Sequence, residues 1–387
     1  MKKKVFFLIH SMDVGGVEKA LLGVLSVLPF EQIDVTVGLL HRRGGLLSYL
    51  PNEVKVVDVA SYVKFYSLIK DSPFSSIKKY ISAGKIQDAV VHSFLYLQRR
   101  INGDHYWFYR YFMRKEEMFS DEMFDVAVSF AGPSQMMDYY VCEKIKANKK
   151  CCWIHFDVSR FGIDVGMTNR LYKCFDKIFV VSEAAQTIFN KKFPRLSNKT
   201  EVFHNVVSPQ KIRELANNGE TFADQFDGKR ILTVGRISKE KGCEEALETL
   251  SLLLKKGCRV KWYFVGEGDD YQHCRAVVLQ RHLQDSVCFL GVKTNPYGYM
   301  RDCDIYVQPS RHEGYCLSLA EALCFENPIV ATGFSGAREQ LSKRRNGIIS
   351  GMTPSDICDS IVKAMSFDKV EGNRLYVNDI EKFLRLL

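Results

Sequence analysis

Short apolar runs alternate with amphipathic stretches along the whole chain. Residues 4–9 form the first apolar run, a glycine-rich turn follows at residues 13–16, and residues 17–28 carry the three- and four-residue spacing of a helix. This alternation predicts strand–helix–strand units and parallel sheets. The predicted strands are residues 4–9, 35–40, 54–57, 88–92, 125–130, 150–155 and 177–181, and then 230–234, 259–265, 287–290, 305–308 and 328–331.

The strand pattern restarts after a polar stretch at residues 216–229, which predicts two domains. A chain of 387 residues is also too long for one ordinary core. We place an N-terminal domain at residues 1–206 and a C-terminal domain at residues 207–371, with a final helix at about residues 372–387 joining the first domain. No Pro/Ser-rich linker separates the two, so we expect them to share a cleft.

Composition changes this picture little. Hydrophobic residues make up 46% of the chain and charged residues 26%, as in a soluble globular protein. No apolar run approaches the ~18–20 residues that span a bilayer. The 12 cysteines are scattered without a CxxC pair, so we expect reduced thiols in a cytoplasmic protein and no structural zinc site.

The excess positive charge lies in the N-terminal half. The formal charge is +9, and residues 1–200 supply all of it, with 29 Lys and Arg against 20 Asp and Glu. Residues 64–115 hold ten basic and three acidic residues among many aromatic ones. An anionic membrane surface, a nucleic acid, or simply a solvated basic face would account for this distribution.

The strongest candidate site follows the predicted strand at residues 305–308. Glu313 precedes a predicted helix and Glu321 lies inside it. The start of a helix offers unpaired N–H groups to a phosphate or a sugar hydroxyl, and a carboxylate can accept hydrogen bonds from two vicinal hydroxyls. A capping acid and a helix-surface acid are the alternative interpretation.

A second candidate site follows the predicted strand at residues 230–234. Gly235 ends that strand at a point where a side chain would block a ligand, and Arg236 and Lys241 come in the next loop. Two cations around one turn can neutralise a diphosphate. A basic surface loop is the alternative.

Three weaker signals also lie at the ends of predicted strands. Gly15 and Gly16 follow the first strand, Gly266 opens a turn after residues 259–265, and His155 ends the strand at residues 150–155. A plain turn or a structural histidine is the alternative for each. In open parallel sheets, ligands bind beyond the carboxyl ends of the strands, so these positions favour a single site between the domains.

Together these residues resemble the retaining glycosyltransferases of family 4, which have the α/β fold called GT-B, two Rossmann-like parallel-sheet domains facing across a cleft. Residues 230–340 carry most of the resemblance. The GGVE and NPY forms are similar to those of bacterial members that build capsule, exopolysaccharide or lipopolysaccharide. In chain order the motifs are GGVE at residues 15–18, GR at 235–236, KG at 241–242, VGEG at 265–268, NPY at 295–297, and E-x7-E from 313 to 321.

The resemblance implies roles for individual residues. Arg236 and Lys241 would grip the diphosphate of a nucleotide-sugar donor, and Glu321 would hold its ribose. Glu313 and His155 would lie beside the transferred sugar, so that Glu313, His155, Arg236 and Lys241 form the catalytic set. The remaining implied donor-binding residues are Gly15, Gly16, Gly235, Gly266, Asn295, Tyr297, Gly314, Tyr315, Cys316, Leu317 and Ser318.

The implied reaction is transfer of a hexose or N-acetylhexosamine from a nucleotide sugar, by default a UDP sugar, to a glycan or polyprenyl-linked glycan acceptor. The anomeric configuration would be retained through front-face attack, with the leaving phosphate taking the acceptor proton. A GDP-mannose-dependent mannosyltransferase, a UDP-sugar 2-epimerase of the same fold, and a non-catalytic binding protein are the alternatives.

The family usually needs no divalent metal, so the resemblance implies neither a metal nor another cofactor. It implies no nucleic-acid partner either. The basic aromatic segment, residues 62–119, lies in the half that would bind acceptors. We therefore expect a cytoplasmic protein that docks on the inner face of the plasma membrane, where it would meet a lipid-linked acceptor.

Overall fold

The computed structural model describes residues 1–59, 72–114, 119, 121–159, 163–372 and 379–387. The chain divides into two compact units. The first contains Met1–Phe203 together with Asp379–Leu387, and the second contains His204–Asn378. Each unit is built on its own parallel sheet, as the alternating apolar pattern predicts.

The first unit has a seven-stranded sheet in the order β3-β2-β1-β4-β5-β6-β7, with every pair parallel. The strand order therefore reverses between β1 and β4. The strands are β1 (Lys3–Ile9), β2 (Ile33–Leu39), β3 (Lys55–Asp58), β4 (Phe124–Gly132), β5 (Ala147–Ile154), β6 (Lys177–Val180) and β7 (Thr200–Val202).

Helices connect these strands. One of them, α7, begins at a serine cap, where the Ser182 hydroxyl accepts a hydrogen bond from the N–H of Ala185 at 3.1 Å. No helix among the described residues is long and apolar enough to cross a bilayer. The helices are α1 (Gly16–Leu25), α2 (Pro73–Ser82), α3 (Ile86–Asn102), α4 (Tyr106–Phe112), α5 (Gln135–Lys144), α6 (Val165–Leu171) and α7 (Glu183–Lys192).

The second unit has a six-stranded parallel sheet in the order β10-β9-β8-β11-β12-β13, and its order reverses between β8 and β11. The strands are β8 (Lys229–Val234), β9 (Val260–Val265), β10 (Val287–Phe289), β11 (Ile305–Gln308), β12 (Ile329–Thr332) and β13 (Gly347–Ser350). The helices are α8 (Pro209–Asn217), α9 (Cys243–Lys255), α10 (Tyr271–Gln280), α11 (Tyr297–Asp302), α12 (Leu317–Ala322), α13 (Ala337–Leu341) and α14 (Pro354–Ala364).

In the second sheet, the side chains of successive strand residues lie on opposite faces. Leu232 and Tyr306 belong to the apolar cluster on one face, whereas Ile231, Ile305 and Val307 belong to the cluster on the other. A strand that is buried on both faces has no solvated side, so both faces of this sheet are covered. The polar groups that remain accessible in such a layer arrangement are those at the strand ends.

The last helix, α15 (Ile380–Leu384), belongs to the first unit. Its residue Phe383 is fully buried and packs against Phe7 of β1, with the ring centroids 5.7 Å apart. The Lys382 ammonium donates to the carbonyl of Val202 at 2.8 Å. The C-terminal end of the chain is therefore part of the core of the first unit.

The predicted strand at residues 88–92 is wrong, because these residues lie within α3. Their apolar run is one turn of an amphipathic helix in which apolar residues recur every three or four positions over Ile86–Asn102. The short strands β7 and β13 were not predicted. Of the basic aromatic segment, residues 62–71 and 115–118 lie outside the described residues.

The expectation that all thiols are reduced is wrong for one pair. Cys142 on α5 and Cys174, which follows α6, form a disulfide, with their Cα atoms 6.2 Å apart. The two are separated by 32 residues in the chain and approach each other because α5 and α6 pack together. Nothing in the scattered cysteine spacing predicts this pairing.

Asp138 on α5 is buried in the first unit and accepts three hydrogen bonds. The donors are the hydroxyl of Ser129 at 2.6 Å, the N–H of Ser134 at 2.9 Å and the hydroxyl of Tyr172 at 3.0 Å. Burial raises the pKa of Asp138 to about 7, even though all three hydrogen bonds favour the charged form.

We expect the substitution Asp138→Asn to remove a pH dependence of stability. The pKa of Asp138 is higher in the folded state than in the unfolded state. The protonated Asp138 therefore contributes fully to the free energy of unfolding below about pH 4, and this contribution is lost as the pH rises through about 7. The loss is at most about 1.4 kcal/mol per pH unit. Asparagine does not titrate, and it can keep three hydrogen bonds if its oxygen accepts from Ser134 and Tyr172 and its NH2 group donates to the Ser129 hydroxyl. Thermal unfolding at about pH 5 and about pH 8 should show the wild type losing more stability than the variant. Equal losses in the two proteins would contradict this assignment.

Candidate functional site

The loops that follow β8 and β11 meet at the point where the strand order of the second sheet reverses. The two strands pair in parallel, with Ile305 opposite Ile231 and Tyr306 opposite Leu232, so their carboxyl ends lie at the same edge. In open α/β sheets this crevice is where ligands bind. The two strongest sequence candidates, Lys241 after β8 and Glu313 after β11, therefore lie at one edge of one sheet.

Gly242 brings these two loops into contact. It follows a 3-10 turn, Lys239–Lys241, and adopts a left-handed conformation with φ of +70°. A Cβ atom at this position would collide with the backbone carbonyl of Pro309, which directly follows β11. The N–H of Arg311 also donates to the carbonyl of Glu240 at 2.7 Å. Only glycine allows this approach without strain.

Lys241 and Glu313 form an ion pair across the two loops. The Lys241 ammonium lies 2.5 Å from Oε1 of Glu313, and the two side chains are 26% and 10% exposed. Burial by itself would lower the pKa of Lys241, but attraction to the Glu313 carboxylate outweighs it and raises that pKa. The lysine is therefore a fixed positive charge at every physiological pH.

A chain of hydrogen bonds also ends at Oε1 of Glu313, the oxygen that Lys241 contacts. The hydroxyl of Ser310 donates to Oε1 of Glu313 at 2.8 Å, and Nε2 of Gln308 donates to Ser310 at 2.8 Å. The hydroxyl of Tyr306 completes the chain by donating to Oε1 of Gln308 at 2.8 Å. No role was predicted for Tyr306, Gln308 or Ser310. Their spacing of two places them on one face of the extended chain and is the signal that could have revealed them.

Arg236 supplies a second cation near the pair. It is exposed. Repulsion from its positive charge would by itself lower the pKa of Lys241, but this is a smaller effect than the attraction of Glu313. Within the part of the chain that the structure describes, no carboxylate forms an ion pair with Arg236. An exposed guanidinium beside a half-buried ammonium is suited to bind an anion.

Glu321 lies inside α12 and is only 4% exposed. The hydroxyl of Tyr297 donates to its Oε1 at 2.7 Å. The charges of Glu313 and Glu321 both help to raise the pKa of the buried Tyr306, although burial is the larger cause. The side chain of Asn295 is used within the unit, because its amide donates to the carbonyl of Leu215 at 2.8 Å and its Oδ1 accepts from the N–H of Tyr297 at 3.2 Å.

The segment between the two carboxylates has a constrained backbone. Cys316 precedes α12, which begins at Leu317, and has a left-handed φ of +73°, an uncommon conformation for a residue other than glycine. Nε2 of Gln340 donates to the carbonyl of Tyr315 and, at 3.5 Å, to that of Cys316. The Ser318 hydroxyl donates to Oε1 of Gln308 at 3.2 Å. The predicted donor-binding residues Gly314 to Ser318 are thus held by both α13 and β11.

The side chain of Tyr315 borders a cavity of about 230 Å³ that lies entirely within the second unit. His204 and Glu339 also line this cavity, and Nε2 of His204 lies 2.6 Å from Oε1 of Glu339. The predicted role of Tyr315 in donor binding concerns its backbone. Its side chain instead lines this cavity.

Gly235 and Gly266 lie where the loops after β8 and β9 touch. The N–H of Gly235 donates to the carbonyl of Val265 at 3.0 Å, and Gly266, with φ of +139°, donates to the carbonyl of Gly291 at 2.8 Å. A Cβ atom on Gly266 would collide with the carbonyl of Gly235, whereas one on Gly235 would meet only the far part of Lys241. Gly266 is therefore required by loop packing, and Gly235 borders the open space beside Lys241.

Gly15, Gly16 and His155 belong to the first unit. Gly15 caps α1 in an extended conformation, and a Cβ atom on it would collide with the Glu18 carboxylate, whereas one on Gly16 would meet nothing within 4 Å. Gly16 therefore faces open space at the end of β1, next to the reversal of strand order in the first sheet.

His155 directly follows β5 and has an unsatisfied ring nitrogen. Its Nε2 is buried and finds no hydrogen-bond partner among the described residues. Burial lowers the pKa of His155 to about 4, and a hydrogen bond to the backbone of Phe130 offsets this only in part. The imidazole is therefore neutral at physiological pH.

Among the residues that the structure describes, no group of three or more His, Cys, Asp or Glu side chains is arranged to hold a metal ion. The candidate site of the second unit contains two cations, Arg236 and Lys241, and two carboxylates, Glu313 and Glu321. The absence of a metal requirement stays a prediction.

Comparison with known proteins identifies the class. Residues 221–370 match the model of a family described as Glycosyl transferases group 1. An uncharacterized glycosyltransferase of Haemophilus influenzae is 23% identical over 390 residues, covering 100% of this chain and 93% of that protein. The N-acetylgalactosamine-N,N'-diacetylbacillosaminyl-diphospho-undecaprenol 4-alpha-N-acetylgalactosaminyltransferase of Campylobacter jejuni is 28% identical over 188 residues, which is 47% of this chain and 48% of that enzyme.

A solved structure of Anabaena HepE in complex with UDP and glucose superimposes with a TM-score of 0.66 at 17% identity, covering 94% of this chain and 90% of that one. At this identity the likeness shows the fold alone, two parallel-sheet α/β domains of the GT-B class. Together with the match over residues 221–370 it defines the class of protein: the chain is a glycosyltransferase. The predicted fold class and enzyme class are confirmed, and the assignment to the retaining family 4 stays a prediction.

The contact between Gly242 and Pro309 can be tested with a matched pair of glycines. Gly242 and Gly257 have nearly the same left-handed φ, +70° and +76°, but a Cβ atom on Gly257 would meet nothing within 4 Å. We expect Gly257→Ala to cost about 1 kcal/mol of folding free energy and Gly242→Ala to cost about 1–3 kcal/mol more because it forces the two loops apart. Urea unfolding of the full-length variants measures both. Equal destabilisation would show that the loops do not touch at Gly242.

Proposed function

We propose that this glycosyltransferase moves a hexose or N-acetylhexosamine, with retention of configuration, from a UDP sugar to a glycan or lipid-linked glycan in bacterial cell-surface polysaccharide synthesis. The observation that carries the proposal is the Lys241–Glu313 pair, with Arg236 beside it, at the reversal of strand order in the second sheet. The UDP bound to Anabaena HepE and the undecaprenol-linked acceptor in the name of the Campylobacter jejuni relative support the donor and the acceptor.

Lys241 and Arg236 would bind the donor diphosphate. When the sugar departs, negative charge builds on the oxygens of the β-phosphate, and fixed cations stabilise that charge without reorganising. Lys241 is suited to this task because Glu313 keeps it charged and in one position. Arg236 is suited because its guanidinium is exposed and offers several donors in a plane.

Glu321 would hold the ribose of the nucleotide. A carboxylate can accept hydrogen bonds from both vicinal hydroxyls, and the hydrogen bond from Tyr297 fixes its orientation. The loop at residues 292–297 would surround the base. Asn295 would act indirectly, because its side chain forms hydrogen bonds to Leu215 and Tyr297 that fix the backbone of this loop. Gly16 would let the loop after β1 approach the phosphates, because no neighbouring atom fills the space beside its Cα.

Glu313 and the backbone from Gly314 to Ser318 would hold the transferred sugar. His155 of the first unit would contribute a neutral imidazole to a sugar hydroxyl, which would satisfy its unpartnered Nε2. In a front-face mechanism the departing phosphate oxygen takes the proton of the acceptor hydroxyl as the new glycosidic bond forms on the same face. The residues of this chain then position the reactants and stabilise charge rather than form a covalent intermediate.

Replacing Lys241 by alanine tests the phosphate site. We expect Lys241→Ala to lower the transfer rate by about 10²–10³, the usual cost of losing one preorganised partner of the developing charge. It should also weaken the stabilisation of the fold by UDP, since a ligand stabilises the state that binds it. Lys239→Ala is the matched control, because Lys239 is an exposed lysine on the same 3-10 turn.

Both proteins are compared in thermal unfolding with UDP, UDP sugars and GDP-mannose, and in transfer assays with the stabilising donor. The proposal expects selective stabilisation by UDP compounds, lost in Lys241→Ala and kept in Lys239→Ala. Stabilisation by GDP-mannose alone would overturn the choice of donor. Interconversion of free UDP sugars without an acceptor would overturn the assignment as a transferase reaction and indicate an epimerase.

Replacing Tyr297 by phenylalanine tests the ribose site. The change removes the hydrogen bond that fixes the orientation of the buried Glu321 carboxylate, so we expect the ribose hydroxyls to be held less well and UDP to bind about tenfold more weakly, a difference of about 1.4 kcal/mol. Tyr299→Phe is the control, because this tyrosine lies on the same helix and its hydroxyl donates to Glu220 at 3.3 Å instead. Isothermal titration with UDP gives both affinities, and equal affinities would rule out a role for the Tyr297–Glu321 pair in nucleotide binding.

A further inference from the structure

Helix α3 of the first unit carries a continuous apolar stripe on its outer face. The stripe consists of Ile86, Val90, Phe94, Leu97 and Ile101, each between 58% and 74% exposed. Successive members are three or four residues apart, so all five project from one side of the helix. Single exposed apolar residues are normal on a protein surface, but a contiguous patch of this kind marks an interaction site.

The opposite face of α3 is already packed. Ala89 and His92 are buried, and the His92 ring lies against Phe108 and Phe112 with centroids 5.3 Å and 5.7 Å away. The apolar stripe is therefore separate from the face through which α3 packs against its own unit. A helix with apolar residues on two sides needs a partner for the outer one.

Helix α2, which packs beside α3, extends the same kind of surface. Phe74 and Ile81 are 81% and 57% exposed and lie seven residues apart, on one face of the helix. Lys78, which is also exposed, lies between them on that face. The α2–α3 pair therefore presents apolar side chains interleaved with a basic one.

The charges around the stripe all have one sign. Within residues 72–114, leaving out Pro73, Arg99 and Asn102, whose side chains are not described, every exposed charged side chain is basic. The acidic residues of this range, Asp88 and Asp104, are half-buried, and each accepts a hydrogen bond within the unit, from Tyr111 and from Arg170. The exposed basic residues are Lys78, Lys79, Lys85, Arg100, Arg110 and Arg114.

These charges decide between three possible occupants. A second copy of the chain docked through this face would oppose positive charge to positive charge, since a two-fold interface repeats the same surface. A nucleic acid would neutralise the charge but would leave the apolar stripe without a partner, because such interfaces are highly polar. An anionic bilayer satisfies both features, since its acyl chains accept apolar side chains and its headgroups attract lysine and arginine.

We propose that the α2–α3 pair docks on an anionic membrane, with the stripe Ile86, Val90, Phe94, Leu97 and Ile101 inserted at the boundary of the acyl chains and the surrounding basic residues at the headgroups. Over 17 residues the helix is about 25 Å long, and it lies in the plane of the interface rather than across it. This surface acts independently of the donor and of the transfer reaction, so its test does not depend on either.

The test is co-sedimentation of the full-length protein with vesicles of phosphatidylcholine containing about 30% phosphatidylglycerol, and with vesicles of phosphatidylcholine alone. We expect the wild type to bind the anionic vesicles and to be released by salt. The double variant Phe94→Glu/Leu97→Glu should bind at least about tenfold more weakly, because it removes two exposed apolar side chains that would be buried in the bilayer and adds two charges that the lipid repels.

Leu279→Glu is the matched control, because Leu279 of the second unit is 57% exposed and Leu97 is 58% exposed. The control should bind vesicles like the wild type, and both variants should keep the wild-type unfolding temperature because all three sites are on the surface. Equal binding of the double variant and the wild type, or no binding by the wild type, would overturn the proposal. A double variant that only changes a dimer into a monomer in sedimentation velocity would overturn it in favour of a second copy of the chain.

Discussion

The ion pair between Lys241 and Glu313 is the interaction on which the second unit's site depends. Two charges that are mostly withdrawn from water stabilise a structure only when their partners and hydrogen bonds are in place. Here Ser310 and Gln308 supply the hydrogen bonds, and Gly242 allows the two loops to approach closely enough for the pair to form. Removing either charge would leave the other uncompensated, so the geometry of the pair constrains the residues around it.

The parallel sheets determine where such a pair can lie. Both faces of the second sheet are buried by alternating strand residues such as Ile231 and Leu232, so polar groups accumulate at the strand ends. The order reverses between β8 and β11, and in open α/β sheets ligands bind beyond the carboxyl ends of the strands at such a reversal. The first sheet reverses between β1 and β4 in the same way, and Gly16, at the start of the helix that follows β1, faces open space.

Much of this architecture could be predicted from the sequence, because strand–helix alternation and glycines at strand ends are local signals. Lys241 and Glu313 were predicted as site residues for that reason. Their direct contact could not be predicted, because it joins two loops that are 72 residues apart in the chain. The run at residues 88–92 was misread because one turn of an amphipathic helix and a short strand have similar apolar content. The disulfide of Cys142 and Cys174 and the engaged side chain of Asn295 also arise from tertiary packing.

The most direct test of this account is a crystal structure of the full-length protein with UDP. The account predicts the diphosphate within hydrogen-bonding distance of Lys241 and Arg236, with the ribose hydroxyls on Glu321. The Lys241–Glu313 pair would keep its 2.5 Å contact, since Gly242 and Ser310 hold the two loops in place. UDP bound elsewhere in the chain, or at this edge of the sheet with its phosphates away from both cations, would contradict the central claim.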